Sequence, residues 1–220
     1  MVPIGNRVSE TENLPMPGRQ LQTEAFVLLK RPPADSFQTF SLFSAEHGPL
    51  LALQRLPKKN AANHLALDLF DEVALSLETS NQGSTWFIKE VRLLARPTGI
   101  GRSYSTLMLA SSLTALIARN PVHEDSRTAV AGLLRTALAA FAQSARADIV
   151  FFKSLYCFAR DEGYPVKQQW FPALASAEQT LAVELLNRPL AAQTAAPEST
   201  AHLTRLLETY LRNDTEILFD

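Results

Sequence analysis

With 220 residues, 46 % of them hydrophobic, the chain can build one ordinary domain or two small ones with real cores. Lys plus Arg total 21 against 22 for Asp plus Glu, a net charge of -1, so nothing about the whole chain favours polyanions or membrane surfaces and any basic surface must be local. The single cysteine, Cys157, excludes an intramolecular disulfide and every multi-cysteine metal site, in keeping with a reducing cytosol. The first residues lack the apolar core of a signal peptide, and no run of about 18 apolar residues marks a membrane span. The expectation is a soluble, cytoplasmic protein.

Residues 1–22 are rich in Pro, Gly, Asn, Ser and Glu without periodicity, which reads as an extended leader. From residue 23 to 97 the period is short and turn residues are dense. Glu24 to Arg31 reads as a strand ended by Pro32 and Pro33. Ser36 to Phe43 returns with Phe37, Thr39, Ser41 and Phe43 on one face and Gln38, Phe40 and Leu42 on the other. Gly48 opens a third strand, Pro49 to Arg55; after the LPKKNAANH loop come Leu65 to Leu77 and, past an Asn81 to Ser84 turn, Thr85 to Leu94. Five short strands with apolar residues on both faces suit a small closed barrel, because closure removes exposed edges, and the Greek-key barrel of the OB type is the natural candidate.

After Arg96-Pro97 the period becomes helical. Arg102 to Asn120 places Leu109, Leu113, Leu116 and Ile117 on one stripe, stopped by Pro121. His123 to Ser126 resembles a capped helix start with acids in the first turn, and that helix runs to about Ser144. Ala147 to Glu162, with Phe151, Phe152, Leu155, Tyr156 and Phe158, reads as a buried central helix terminated by Gly163. Two more helices follow, near Ala173 to Asn187 and Glu198 to Asn213. The expected fold class is α+β: a five-stranded OB-type barrel (23–97) followed by an all-α helical bundle (98–220).

These segments resemble the bacterial recombination mediator RecO. EAFVLLKRPPADSFQTFSLFSAEHG is similar to the family's first hairpin with its "LFT-x-x-x-G" ending, LDLFDEVALSLE to its "LQPFDxLELxL" strand, and WFIKEVRLL to the strand that follows. FFKSLYCFARDEGYP is similar to "FELxLLxxLGYxP", and Gly101 to Ala115 and LTRLLETYLRND fit the helical domain. Many family members carry a CxxC…CxxC zinc module after "GYxP"; here GYPVKQQWFPAL leads directly to the next helix without a cysteine. The resemblance is therefore to a divergent, zinc-free member. It implies a non-enzymatic protein without cofactors that binds single- and double-stranded DNA, anneals strands, and works in recombinational repair with RecR, RecA and single-stranded DNA-binding protein, as a monomeric chain. It also implies that the acidic, Phe-ending tail of single-stranded DNA-binding protein seats in an apolar groove of the helical domain, for which Arg102, Arg119, Arg127, Arg135 and Lys153 are available.

An OB-type barrel suits DNA because basic side chains track phosphates while aromatic groups stack on bases of any identity. The barrel segment holds the basic residues Lys30, Arg31, Arg55, Lys58, Lys59, Lys89, Arg92 and Arg96, matched in number by Glu24, Asp35, Glu46, Asp68, Asp71, Glu72, Glu78 and Glu90. The positive charges nonetheless cluster at strand ends and loops, and these eight are the candidate nucleic-acid contacts; their bland alternative is solvation of strand ends. Phe37, Trp86 and Phe87 could stack on bases, although strand aromatics are more often core; Phe87 is expected inside and Trp86 is open. His123, Glu124 and Asp125 are consecutive and do not converge on a metal, and Cys157 on an apolar helix is expected to be a buried, inert thiol. No P-loop, GxSxG, HExxH or dinucleotide fingerprint is present, so nothing supports an enzyme. Two functions follow: a DNA-binding mediator, which needs the basic groups to converge, or a protein-only adaptor on the same fold, which is favoured if they scatter or pair with Asp71, Glu72 and Glu90.

Overall fold

A computed structural model describes residues 18–57, 65–79 and 85–219. Five strands, β1 (Gln20–Lys30), β2 (Phe37–Ser44), β3 (Gly48–Arg55), β4 (Glu72–Thr79) and β5 (Thr85–Ala95), precede six helices. These are α1 (Tyr104–Arg119), α2 (Arg127–Gln143), α3 (Ala147–Asp161), the single turn α4 (Phe171–Ala173), α5 (Ser176–Asn187) and α6 (Pro197–Asp214). The strands close into a barrel in the order β1-β2-β3-β5-β4. Every pairing is antiparallel except β3 with β5, which run parallel through Leu51–Thr85, Ala52–Trp86 and Leu53–Phe87.

Two cores account for the apolar residues on both strand faces. Ala25, Val27, Phe40, Leu42, Ala52, Leu67, Val73, Leu75 and Leu77 fill the barrel. Phe26, Leu28 and Phe43 point outward instead and join the core of the helical domain. The AFVLL run of β1 is thus buried on both sides, as a strand between two cores must be. A register shift between Val27 and Leu29 eases the strand into this double duty. Around Phe141, Phe152, Phe158 and Leu113, helices α1, α2, α3 and α6 build the second core, with α1 resting on β1 and β2.

Several boundaries differ from the sequence reading. β1 begins at Gln20, inside the segment read as leader, because Gln20 to Phe26 pair with Glu78 to Glu72 of β4; residues 1–17 lie outside the described residues. The fourth strand starts at Glu72 rather than Leu65: Leu67 plugs the barrel, and the chain then turns through Phe70 at φ 71°, which no strand residue adopts. Glu124–Ser126 is a 3-10 turn and α2 begins only at Arg127, neither with a side-chain cap, so the capped helix start read at His123 to Ser126 is not formed. Gly163, at φ 88°, does end α3, with Tyr164 N–H donating back to the Ala159 carbonyl. Between Gly163 and α5, where a direct connection was expected, Val166–Trp170 forms a π-helical turn that seats Trp170 against Phe152 and Tyr156. Among the described residues no helix is long and apolar enough to cross a membrane.

Candidate nucleic-acid interface

The eight basic candidates divide into distinct settings. Lys58 and Lys59 lie outside the described residues, as does the Asn81 to Ser84 turn. Three others are held by acids. Lys30 reaches Asp68 at 3.3 Å, and Lys89 reaches Glu78 at 2.8 Å. Arg96 Nε and Nη2 donate to the two oxygens of Asp71 at 2.7 and 2.6 Å, and Nη2 also donates to the Ala66 carbonyl at 2.9 Å. Hydrogen bonding to Asp71 raises the Arg96 pKa, and Asp71 itself is fully buried, so this pair pins the end of β5 to the turn before β4.

Arg92 is exposed but faces a shallow groove of about 630 Å³ across β1, β4 and β5, which also contains Glu24, Glu46 and Glu90. Three carboxylates around one guanidinium make that groove repel a phosphate backbone. Arg31 and Arg55 are exposed at the ends of β1 and β3 and make no ion pair among the described residues.

The remaining surface is the outer side of β2, β3 and β5. Strand parity sends Phe40, Leu42 and Ala52 inward, so Phe37, Thr39 and Ser41, with Leu51, Leu53 and Arg55 opposite them, line the outside. The parallel register continues this face onto β5 by pairing Leu53 with Phe87. Phe37 and Phe87 meet edge to face with centroids 5.8 Å apart. Arg55 lies directly opposite Phe37 in the ladder, Lys89 is two residues beyond Phe87, and Arg31 is joined to Thr39 by a backbone hydrogen bond. The result is a half-buried aromatic pair flanked by Arg31 and Arg55, with the Lys89–Glu78 ion pair beside Phe87.

The expectation for Phe87 is overturned, and Trp86, left open from sequence, is placed. Phe87, expected in the core, is on the outer face, whereas Trp86 pairs with Ala52, packs against the barrel interior and receives the Arg19 guanidinium 6.0 Å from its ring. The two adjacent aromatics were indistinguishable in sequence because parity depends on where β5 meets β3.

The cations considered for a tail groove in the helical domain scatter. Arg119 donates to the Phe219 carbonyl, Arg127 to that of Glu46, and Lys153 to that of Arg188. Arg135 grips Glu72 of β4 through Nε and Nη2, which raises its pKa. Arg102 and Arg135 line one cleft together. Cys157 is half-buried rather than buried, and burial pushes its thiol pKa up, away from reactive thiolate. Among the described residues no group of three or more His, Cys, Asp or Glu side chains could hold a metal ion.

No protein-family model matches the chain, and no curated protein matches it.

Proposed function

We propose that the chain is a non-enzymatic DNA-binding and strand-annealing mediator of the RecO type, acting in recombinational repair with RecR-like, RecA-like and single-stranded DNA-binding partners. The observation that carries this reading is the Phe37–Phe87 pair on the outside of the barrel, flanked by Arg31 and Arg55. The strand order β1-β2-β3-β5-β4 supports an OB-type barrel, in which the β2–β3 side carries oligonucleotides. Stacking on such a pair is tolerant of base identity and needs unpaired bases, which suits a protein that handles single strands before they anneal. Arg31 and Arg55 supply the phosphate contacts, with Lys58 and Lys59 close by in sequence to Arg55.

The test is annealing of two complementary, mixed-sequence oligonucleotides, one labelled with a fluorophore and the other with a quencher. The protein should accelerate annealing at low salt, and Phe37→Leu with Phe87→Leu should remove the acceleration.

A second reading, a protein-only adaptor on this fold, is favoured by the acids that occupy Lys30, Lys89 and Arg96. It predicts no annealing at any salt concentration.

A further inference from the structure

A second cleft, of about 370 Å³, lies at the seam between the barrel and the helical domain. Phe26, Phe70 and Leu138 form its apolar lining, and Arg96, Arg102 and Arg135 supply its cations. Two of these are fixed in advance: Arg96 by buried Asp71, and Arg135 by Glu72 with its guanidinium 5.5 Å over the Phe26 ring. In both, Nη1 makes no hydrogen bond among the described residues. Arg102 is exposed, and its side chain has no hydrogen bond or ion pair among the described residues. Asp68 and Glu24 also act on Arg96 and Arg135, so the charge around the cleft is close to balanced, and Arg102 is the one guanidinium lining it that has no carboxylate partner among the described residues.

The floor carries a mark of its own. Phe70 adopts φ 71°, a left-handed conformation that bulky side chains rarely take. It is locked there by its N–H on the Val27 carbonyl at 2.9 Å and by Asp68 N–H on Asp71 Oδ2 at 2.8 Å. The same Asp71 that holds this turn also holds Arg96, so one carboxylate positions both an aromatic wall and a cation of the cleft. Backbone outliers held so firmly gather at ligand clamps.

We infer that the cleft binds a nucleoside monophosphate, either free or as the phosphorylated end of a DNA strand. The phosphate sits on Arg102 and on the Nη1 groups of Arg96 and Arg135, and the base lies at the mouth against Pro97, Ala139 and Ala142, since Phe26, Phe70 and Leu138 beneath are buried. Guanidinium forks match phosphate oxygens, and the cleft is of a size that small ligands fill. The strand-end form rests on the DNA reading above; the free-nucleotide form does not.

The experiment is calorimetric titration of the full chain with dAMP and with deoxyadenosine. It is run beside anisotropy of one oligonucleotide in 5′-phosphorylated, 3′-phosphorylated and unphosphorylated forms. The variants are Arg102→Gln and Ala139→Trp, both at exposed positions, the second filling the cleft. The expected result is that dAMP, or one phosphorylated oligonucleotide, binds at least about tenfold more tightly than its phosphate-free counterpart, since a charge-assisted contact is strong. Arg102→Gln should abolish that difference and Ala139→Trp should block binding of dAMP. If the unphosphorylated oligonucleotide binds, a phosphate adds nothing and dAMP gives no heat, the cleft assignment is overturned while the DNA reading stands. Binding of dAMP without any oligonucleotide upholds the cleft and overturns the DNA reading. An acidic, Phe-ending peptide that binds and is blocked by Ala139→Trp, with dAMP silent, overturns the nucleotide assignment in favour of a peptide. Silence from every probe overturns both.

Discussion

The rings of Phe37 on β2 and Phe87 on β5 meet at 65° across Leu53 of β3, so three strands must be in register before the outer aromatic pair exists. The pair is a product of tertiary structure, and on the proposed reading it is where unstacked bases lie. Changing either ring to Leu keeps an apolar side chain at a half-buried position and removes the stacking face. Each change should weaken single-stranded DNA by about tenfold, as loss of one stacked base does, and leave the salt dependence unchanged. Anisotropy titrations of the two variants across a salt series check both halves of that statement.

Arg55 and Arg92 are both exposed arginines of the barrel and differ in their neighbours. Arg55→Ala should lower the slope of log affinity against log salt by about 1, because one phosphate contact is lost. Arg92→Ala should leave the slope as it is, since Glu24, Glu46 and Glu90 line the same groove. Equal effects from the two would mean that DNA crosses β1 and β4.

Arg96 holds the fold in place. Replacing it with Ala leaves the fully buried Asp71 without its cation, which should destabilise the protein by about 3 kcal/mol in denaturant titrations. Arg96→Lys should recover only part of this, because an ammonium cannot reproduce the bidentate contact.

Glu208 on α6 reports on the helical domain. Burial raises its pKa, against the pull of Arg212 one turn away. An acid whose folded-state pKa exceeds its unfolded value binds the extra proton when folded, so stability falls as pH rises through the interval between the two. Glu208→Gln should raise the thermal midpoint at pH 7, and the advantage should vanish in acid below both values. Melting curves across pH test this.

Much of the architecture was legible because the periodicities are strong. The alternation in Ser36 to Phe43 assigns Phe40 and Leu42 to one face, and the stripe of Leu113, Leu116 and Ile117 fixes the buried side of α1. Leu65 to Leu77 misled because an apolar run with alternation reads as a strand whether or not a left-handed residue interrupts it, and Phe70 gives no glycine or asparagine signal. The π-helical turn at Val166–Trp170 has no short-range signature and exists because Trp170 is drawn onto Phe152 and Tyr156. At the site, the basic residues could be named from sequence but not sorted. Whether Lys30, Lys89 or Arg96 meets an acid depends on Asp68, Glu78 and Asp71, whose positions follow from strand register.

The claim that the barrel is a DNA platform is tested most directly by anisotropy of a labelled, mixed-sequence single-stranded oligonucleotide over a salt series. The protein would be compared with a variant carrying Arg31→Glu, Arg55→Glu, Lys58→Glu and Lys59→Glu. The account predicts binding that weakens steeply with salt and is lost in the variant. No binding at low salt, or binding that the four substitutions leave intact, would contradict it.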